Sequence, residues 1–266
     1  MESKILIDGT WAEFKNLNIW YEHKRVLNNI NLKLRLGENT VLIGTNGSGK
    51  STLIKTIARI KYPIVDKESF IKIFGKNHIN IWELRTKIGF LFSEIDTRIK
   101  GNMLTKDIIL SGYQGTFGVI NRNLIGTKEK QNLEELMNSL NLIKVSKYYS
   151  QLSDGQKRRV LIARSIINNP LVLALDEPTN MLDLRSNYEL LNNLSNLSKN
   201  GITLLYTTNN IENIIKETNR VIFLKEGEII LDGTPEKVIT SENISNLYDF
   251  NIAVRNIGGY WRTSPA

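Results

Sequence analysis

Apolar and polar residues alternate in two runs near the start of the chain, residues 12–21 and 26–36, with the charged stretch Glu22-His23-Lys24-Arg25 between them. In the second run Ile30, Leu32, Leu34 and Leu36 fall on every other position, the period of a strand buried on one face. The short connection predicts antiparallel pairing with the first run. Residues 39–43 (NTVLI) form a short β-type run, and after a glycine-rich turn residues 51–60 read as a helix. Residues 69–74 and 87–92 read as further strands, the second leading straight into Ser93-Glu94.

The pattern then changes. Over residues 96–150 no strand is evident: Gly112, Gly115 and Gly118 punctuate a loop, and Leu133, Leu136, Met137 and Leu140 take helical spacing within a charged segment, 128–142. This predicts a helical lobe inserted into an α/β domain. Residues 157–168 follow as a helix, and 171–175 (LVLAL) is a continuous apolar run, as a parallel strand buried on both faces requires. The alternation continues with a helix at 184–197, a strand at 203–207, a helix at 211–216, and a hairpin of 220–225 with 228–232 around Glu226-Gly227. A short helical stretch follows Pro235, and the tail after Ala253 (NIGGYWRTSPA) shows no period.

With 266 residues, 41% of them hydrophobic, the chain has material for a large core in one or two domains. No run of about 18 apolar residues occurs, so no segment is expected to span a bilayer unaided. The early acids argue against a secretory signal, and the lack of cysteine excludes disulfides and thiolate metal sites, which fits a cytoplasmic location. A net charge of +8 permits a polyanion partner, but Lys and Arg are scattered rather than blocked, the pattern of a solvated basic surface. His23 and His78 lie far apart, which argues against a histidine metal site.

Three stretches carry chemistry. Gly44-Thr45-Asn46-Gly47-Ser48-Gly49-Lys50-Ser51-Thr52 lies between a strand and a helix, the setting of a phosphate-binding loop. Its glycines let backbone N–H groups wrap a polyphosphate, Lys50 adds positive charge, Ser51 offers a hydroxyl to Mg²⁺, and the helix N-terminus faces the same anion. Leu152-Ser153-Asp154-Gly155-Gln156 opens a helix that Ser153 or Asp154 can cap, and the same geometry suits an anion site. Asp176-Glu177 ends the buried run; such acids are either solvated strand caps or a pair that divides labour between a metal ion and an attacking water. Tyr21, at a strand end, reads by itself as an aromatic closing the core.

In this order, the loop at 44–52, LSDGQ at 152–156, LVLALDEPT at 171–179 and NMLD at 180–183 resemble the ATP-binding cassette (ABC) ATPase family over about residues 12–240. The resemblance implies a P-loop NTPase core of mostly parallel strands, an antiparallel β subdomain, and an inserted α-helical subdomain at about 96–165. Residues 241–266 remain as a C-terminal helix and tail. It also implies a head-to-tail pair, either a homodimer or a paired ABC subunit, with ATP and Mg²⁺ between one copy's phosphate loop and the other's signature. Lys50 then meets the β- and γ-phosphates, Ser51 and Asp176 the Mg²⁺, Glu177 the attacking water, and Tyr21 the adenine. Ser153 and Gly155 reach the γ-phosphate from the opposite copy, and Asp183 lies in the D-loop at the seam.

Two positions depart from the family pattern. Asn209 stands where a histidine is usual; it can donate a hydrogen bond but not the proton chemistry of an imidazole, and positioned proton transfer is typically worth about 10²–10⁴-fold in rate. Ser93 stands where a Mg²⁺-facing glutamine is usual, with Glu94 as a possible substitute. Slowed hydrolysis is the expectation. The family implies an energy-coupling subunit of a transporter, peripheral on the inner membrane face through an integral permease. The alternative is a soluble ABC-type ATPase or switch acting on nucleic acid or ribosomes. The loop 110–120 (LSGYQGTFGVI) is also similar to a subgroup tied to molybdate uptake or DNA repair.

Overall fold

The computed structural model describes residues 8–63, 68–92, 99, 102–116 and 120–266. The two alternating runs form long strands, β1 (Thr10–Tyr21) and β2 (Lys24–Arg35), joined by the turn Glu22-His23. Their inward residues change parity part-way, from Ala12 and Phe14 to Leu17 and Ile19 in β1, and from Leu27 to Ile30 in β2. At these breaks Asn16 and Asn29 take left-handed backbone (φ 48° and 47°), which asparagine tolerates better than most residues. The bulges are cross-linked: Asn16 N–H donates to the Asn31 side chain (3.0 Å) and Asn29 N–H to the Asn18 side chain (2.8 Å). A third strand, β4 (Phe70–Ile73), pairs antiparallel with the other edge of β1.

The second sheet carries the functional ends. Its order is β5-β6-β7-β3-β8-β9, built from β3 (Thr40–Ile43), β5 (Ile88–Leu91), β6 (Val172–Leu175), β7 (Thr203–Thr208), β8 (Arg220–Lys225) and β9 (Glu228–Gly233). All neighbours run parallel except β9, which forms the expected hairpin with β8. Every residue of β3, β6 and β7 is buried, so these runs have no polar face to alternate with. Because β6, β7 and β3 are adjacent and parallel, the loops after Ile43, Leu175 and Thr208 leave the sheet at one edge. Ligands bind at that carboxyl edge in open α/β sheets.

The helices are α1 (Lys50–Ile57), α2 (Ile81–Lys87), α3 (Thr105–Leu110), α4 (Thr127–Ser139), α5 (Asp154–Ile166), α6 (Leu184–Lys199), α7 (Pro235–Val238) and α8 (Ser241–Tyr248). The helical lobe is present as α3, α4 and α5, with Leu133 and Met137 of α4 buried. α1 stops before the predicted Ile60, since Arg59 takes left-handed backbone (φ 58°). The predicted helix at 211–216 is a correction: only Ile211–Asn213 make a 3₁₀ turn. Ile211, Ile214 and Ile215 are buried, but Ile215 N–H donates to the Tyr206 hydroxyl (3.1 Å), which holds the segment away from a second turn.

The tail is a second correction. After α8 the chain forms a hairpin of β10 (Ile252–Ile257) and β11 (Tyr260–Pro265) around Gly258-Gly259, both at positive φ. Of its residues only Trp261 is buried, so the strands bury no alternating face and show no period.

Candidate active site

The loop after β3 is shaped by what its glycines exclude. A Cβ on Gly44 would run into the Leu224 carbonyl oxygen of β8 and the Ser48 hydroxyl, so the loop approaches β8 more closely than any side chain allows. Gly49, the residue before α1, sits at φ 106°, a left-handed conformation that frees the first N–H groups of α1 toward the loop's concave side. Lys50 folds back over this loop. Its Nζ donates to Gly44 O (2.8 Å) and Thr45 O (3.0 Å) and lies 3.6 Å from Glu177 Oε1. Burial pulls the Lys50 ammonium below the usual lysine range, and the nearby Glu177 and Asp176 charges oppose that shift.

The edge of β6 completes the arrangement. Asp176 is buried, and its Oδ1 accepts from Ser51 Oγ (2.8 Å) and Thr207 Oγ1 (2.9 Å). Thr207 Oγ1 in turn accepts from Glu177 N–H (2.9 Å), so β7 fixes both acids. Glu177 takes left-handed backbone (φ 45°), a local strain of the kind that collects at functional sites, and its carboxylate points at Lys50 and Asn180. Across the site the Asn209 side-chain amide donates to Asn46 Oδ1 at 3.4 Å.

These groups surround a cavity of about 290 Å³ lined by the loop residues Asn46, Gly47, Gly49, Lys50, Ser51 and Thr52, by Asp176 and Glu177, and by Val26. Sequence reasoning missed Val26 and Thr207. Both lie inside strands, where nothing in the local pattern separates a wall of a site from a core residue. Within the loop Ser48 Oγ is buried without a hydrogen-bond partner, and Ser51 Oγ with Asp176 Oδ1 sets a hydroxyl beside a carboxylate. An oxygen pair of that kind suits Mg²⁺, which takes few protein ligands and fills its shell from phosphates and water.

The other predicted residues lie elsewhere. None of Leu152, Ser153, Asp154, Gly155 and Gln156 lines the cavity. They open α5, where Ser153 is the cap: Gln156 N–H donates to Ser153 Oγ (3.3 Å) and Ser153 N–H to Gln156 Oε1 (2.9 Å). Gly155 packs so closely on Ser186 of α6 that a Cβ would collide with its hydroxyl. Asp183 caps α6 by accepting from Ser186 N–H (2.9 Å) and Ser186 Oγ (3.0 Å), which lowers its carboxyl pKa. Tyr21 is exposed at the end of β1, with Lys61 Nζ 4.0 Å above its ring. It closes no core, against the reading from its segment alone. Ser93 and Glu94 lie outside the described residues.

Residues 27–180 match the model of the ABC transporter family. The chain belongs to that family. It is an ABC-type ATPase, with the cassette fold that the motifs implied. A putative ABC transporter ATP-binding protein of Streptococcus mutans is 32% identical over 251 residues, covering 91% of this chain and 94% of that one. A solved structure of cbiO1 from Clostridium perfringens, described as part of the ABC transporter complex cbiONQ, is 27% identical with a TM-score of 0.73, covering 90% of this chain and 94% of that one. A dimeric ATP-binding cassette in a post-hydrolysis state, bound to ADP and Pi, is also 27% identical. Its TM-score is 0.69, with 84% of this chain and 98% of that one covered.

Proposed function

We propose that this ABC cassette is the energy-coupling subunit of a transporter: two cassettes close head to tail around ATP, and hydrolysis reopens them to drive a separate membrane permease. The observation that carries this reading is the incomplete cavity. It gathers the phosphate loop, Asp176 and Glu177, but no residue of 152–156. A second cassette completes it by presenting the start of α5, where Ser153 and Asp154 are exposed and Gly155 is packed against Ser186 behind them. Among the described residues no helix is long and apolar enough to cross a membrane, so the solute path belongs to the partner. A cytoplasmic position at the inner membrane face follows from that partnership.

In this reading Lys50 gives up the Gly44 and Thr45 carbonyls for the β- and γ-phosphates when ATP enters. Ser51 and Asp176 hold Mg²⁺, which supplies charge neutralisation to the phosphates when bound. Glu177 orients the attacking water, and its carboxylate is positioned by the Thr207 hydroxyl under its own N–H. Tyr21 stacks on adenine through the ring face that Lys61 leaves open. Asn209 donates to the γ-phosphate but carries no titrating proton, which slows the cleavage step. Turnover of Asn209→His tests that assignment: a rise of tenfold or more is expected, and an unchanged rate would remove Asn209 from the account of attenuation.

Partnership is tested by recovering the tagged chain from detergent-solubilised membranes. Co-purification of a multi-span protein that survives 0.5 M salt, where the Debye length is only about 4 Å, is the expected result. Salt-sensitive co-purification of nucleic acid without a membrane protein would overturn the transport reading.

A further inference from the structure

The cassette's C-terminal segment is built onto the loop that carries Asn209, and nothing in the cassette motifs accounts for it. Asn209 and Asn210 follow β7 and are exposed, and Asn210 N–H donates back to Thr208 Oγ1 at the end of that strand (3.0 Å). Two ties come from the C-terminal segment. Tyr248, at the end of α8, donates its hydroxyl to the Asn209 carbonyl oxygen at 2.7 Å. Three residues further on, the Glu212 carboxylate accepts from Thr263 N–H (3.1 Å) and Thr263 Oγ1 (3.1 Å) of β11 and pairs with Arg262 (3.4 Å).

The support behind Tyr248 is itself anchored to the main sheet. Ile244 and Leu247 of α8 are buried, and Lys225 at the end of β8 donates to Asn246 O (2.8 Å) and pairs with Asp249 (2.7 Å). α8 is therefore a fixed arm, not a loose appendage. Burial pushes the Tyr248 hydroxyl up to about 12, so it stays a protonated donor across the physiological range. An asparagine side chain is short, and the direction of its amide follows the main chain that bears it. Here that amide spans to Asn46 of the phosphate loop.

We infer that Tyr248 is a positioning residue for ATP cleavage: through its hydrogen bond to the Asn209 carbonyl, the C-terminal module sets where the Asn209 amide points, without itself touching nucleotide. This rests on the reading of Asn209 as a γ-phosphate donor. Glu212, held by Thr263 and Arg262, fixes the far side of the same loop, so the two ties act on one short segment. The C-terminal hairpin thereby becomes part of the catalytic support.

The test is single-turnover ATP cleavage by the full chain, with ATP affinity measured separately, for Tyr248→Phe, Asn209→Ala and the double variant. Losing one neutral hydrogen bond is expected to slow cleavage about 3- to 10-fold in Tyr248→Phe. ATP affinity should stay within about twofold, and Tyr248→Phe should add no further loss in the Asn209→Ala background. Thr263→Val, which removes one donor to Glu212 and leaves α8 intact, should give a smaller loss with the same dependence on Asn209. A slow Asn209→Ala with a wild-type Tyr248→Phe would overturn the inference while sparing the reading of Asn209. Equal proportional losses in both backgrounds would also overturn it, since they mark a general structural effect. A wild-type rate in Asn209→Ala would instead sink the reading of Asn209 itself.

Discussion

Glu177→Gln should lower single-turnover ATP cleavage by roughly 10²–10⁴-fold, the usual contribution of a positioned base, while ATP affinity changes by no more than about twofold. The geometry gives the reason. Glu177 projects into the cavity from strained backbone fixed by the Thr207 hydroxyl, and Gln keeps its shape and its N–H contact. Only the carboxylate is lost. Because the substituted cassette holds ATP without cleaving it, the protein should run as a dimer on size-exclusion chromatography with MgATP and as a monomer without it. Cleavage at the wild-type rate would show that Glu177 is not the group that orients water.

The second large effect is on binding. Lys50→Ala should weaken ATP binding by about 10- to 150-fold, the range for a lost hydrogen bond to a charged partner of about 1.5–3 kcal/mol. Folding should be little affected. The Lys50 ammonium is buried, and burial already lowers its pKa, so its removal relieves a desolvated charge while leaving two carbonyls short of a donor. Calorimetric titration with MgATP, set beside a thermal melt, separates the two quantities. A variant that binds ATP normally, or one that loses affinity only because it has unfolded, would contradict the role assigned to Lys50.

What the sequence made legible follows from where its signals are local. The phosphate loop, the start of α5 and the end of β6 each state their chemistry within about ten residues, and of the three buried parallel strands beneath the site β6 is a continuous apolar run. Thr207 was hidden because it reads as one more residue of a buried strand; its role as the bridge between Asp176 and Glu177 exists only once β7 lies beside β6. Tyr248 was hidden for a similar reason, being 39 residues away from the Asn209 it holds. The β10–β11 hairpin escaped because its strands bury almost nothing, leaving the Gly258-Gly259 turn without flanking periodicity. The helical period at 211–216 misled because Ile211, Ile214 and Ile215 are buried by an irregular segment that Tyr206 holds in place. Apolar spacing reports burial, and burial does not require a helix.

In the proposed dimer the cavity of one cassette is completed by the signature of another. The chain contains no cysteine, so single cysteines can report on it directly. In the Glu177→Gln background, one preparation carries Asn46→Cys in the phosphate loop and another carries Asp154→Cys at the start of α5, both exposed positions. The two are mixed and treated with a short bismaleimide. A covalent dimer is expected that forms with MgATP and only in the mixture. Cross-linking of like with like, or no dimer in a mixture shown to bind ATP, would contradict it.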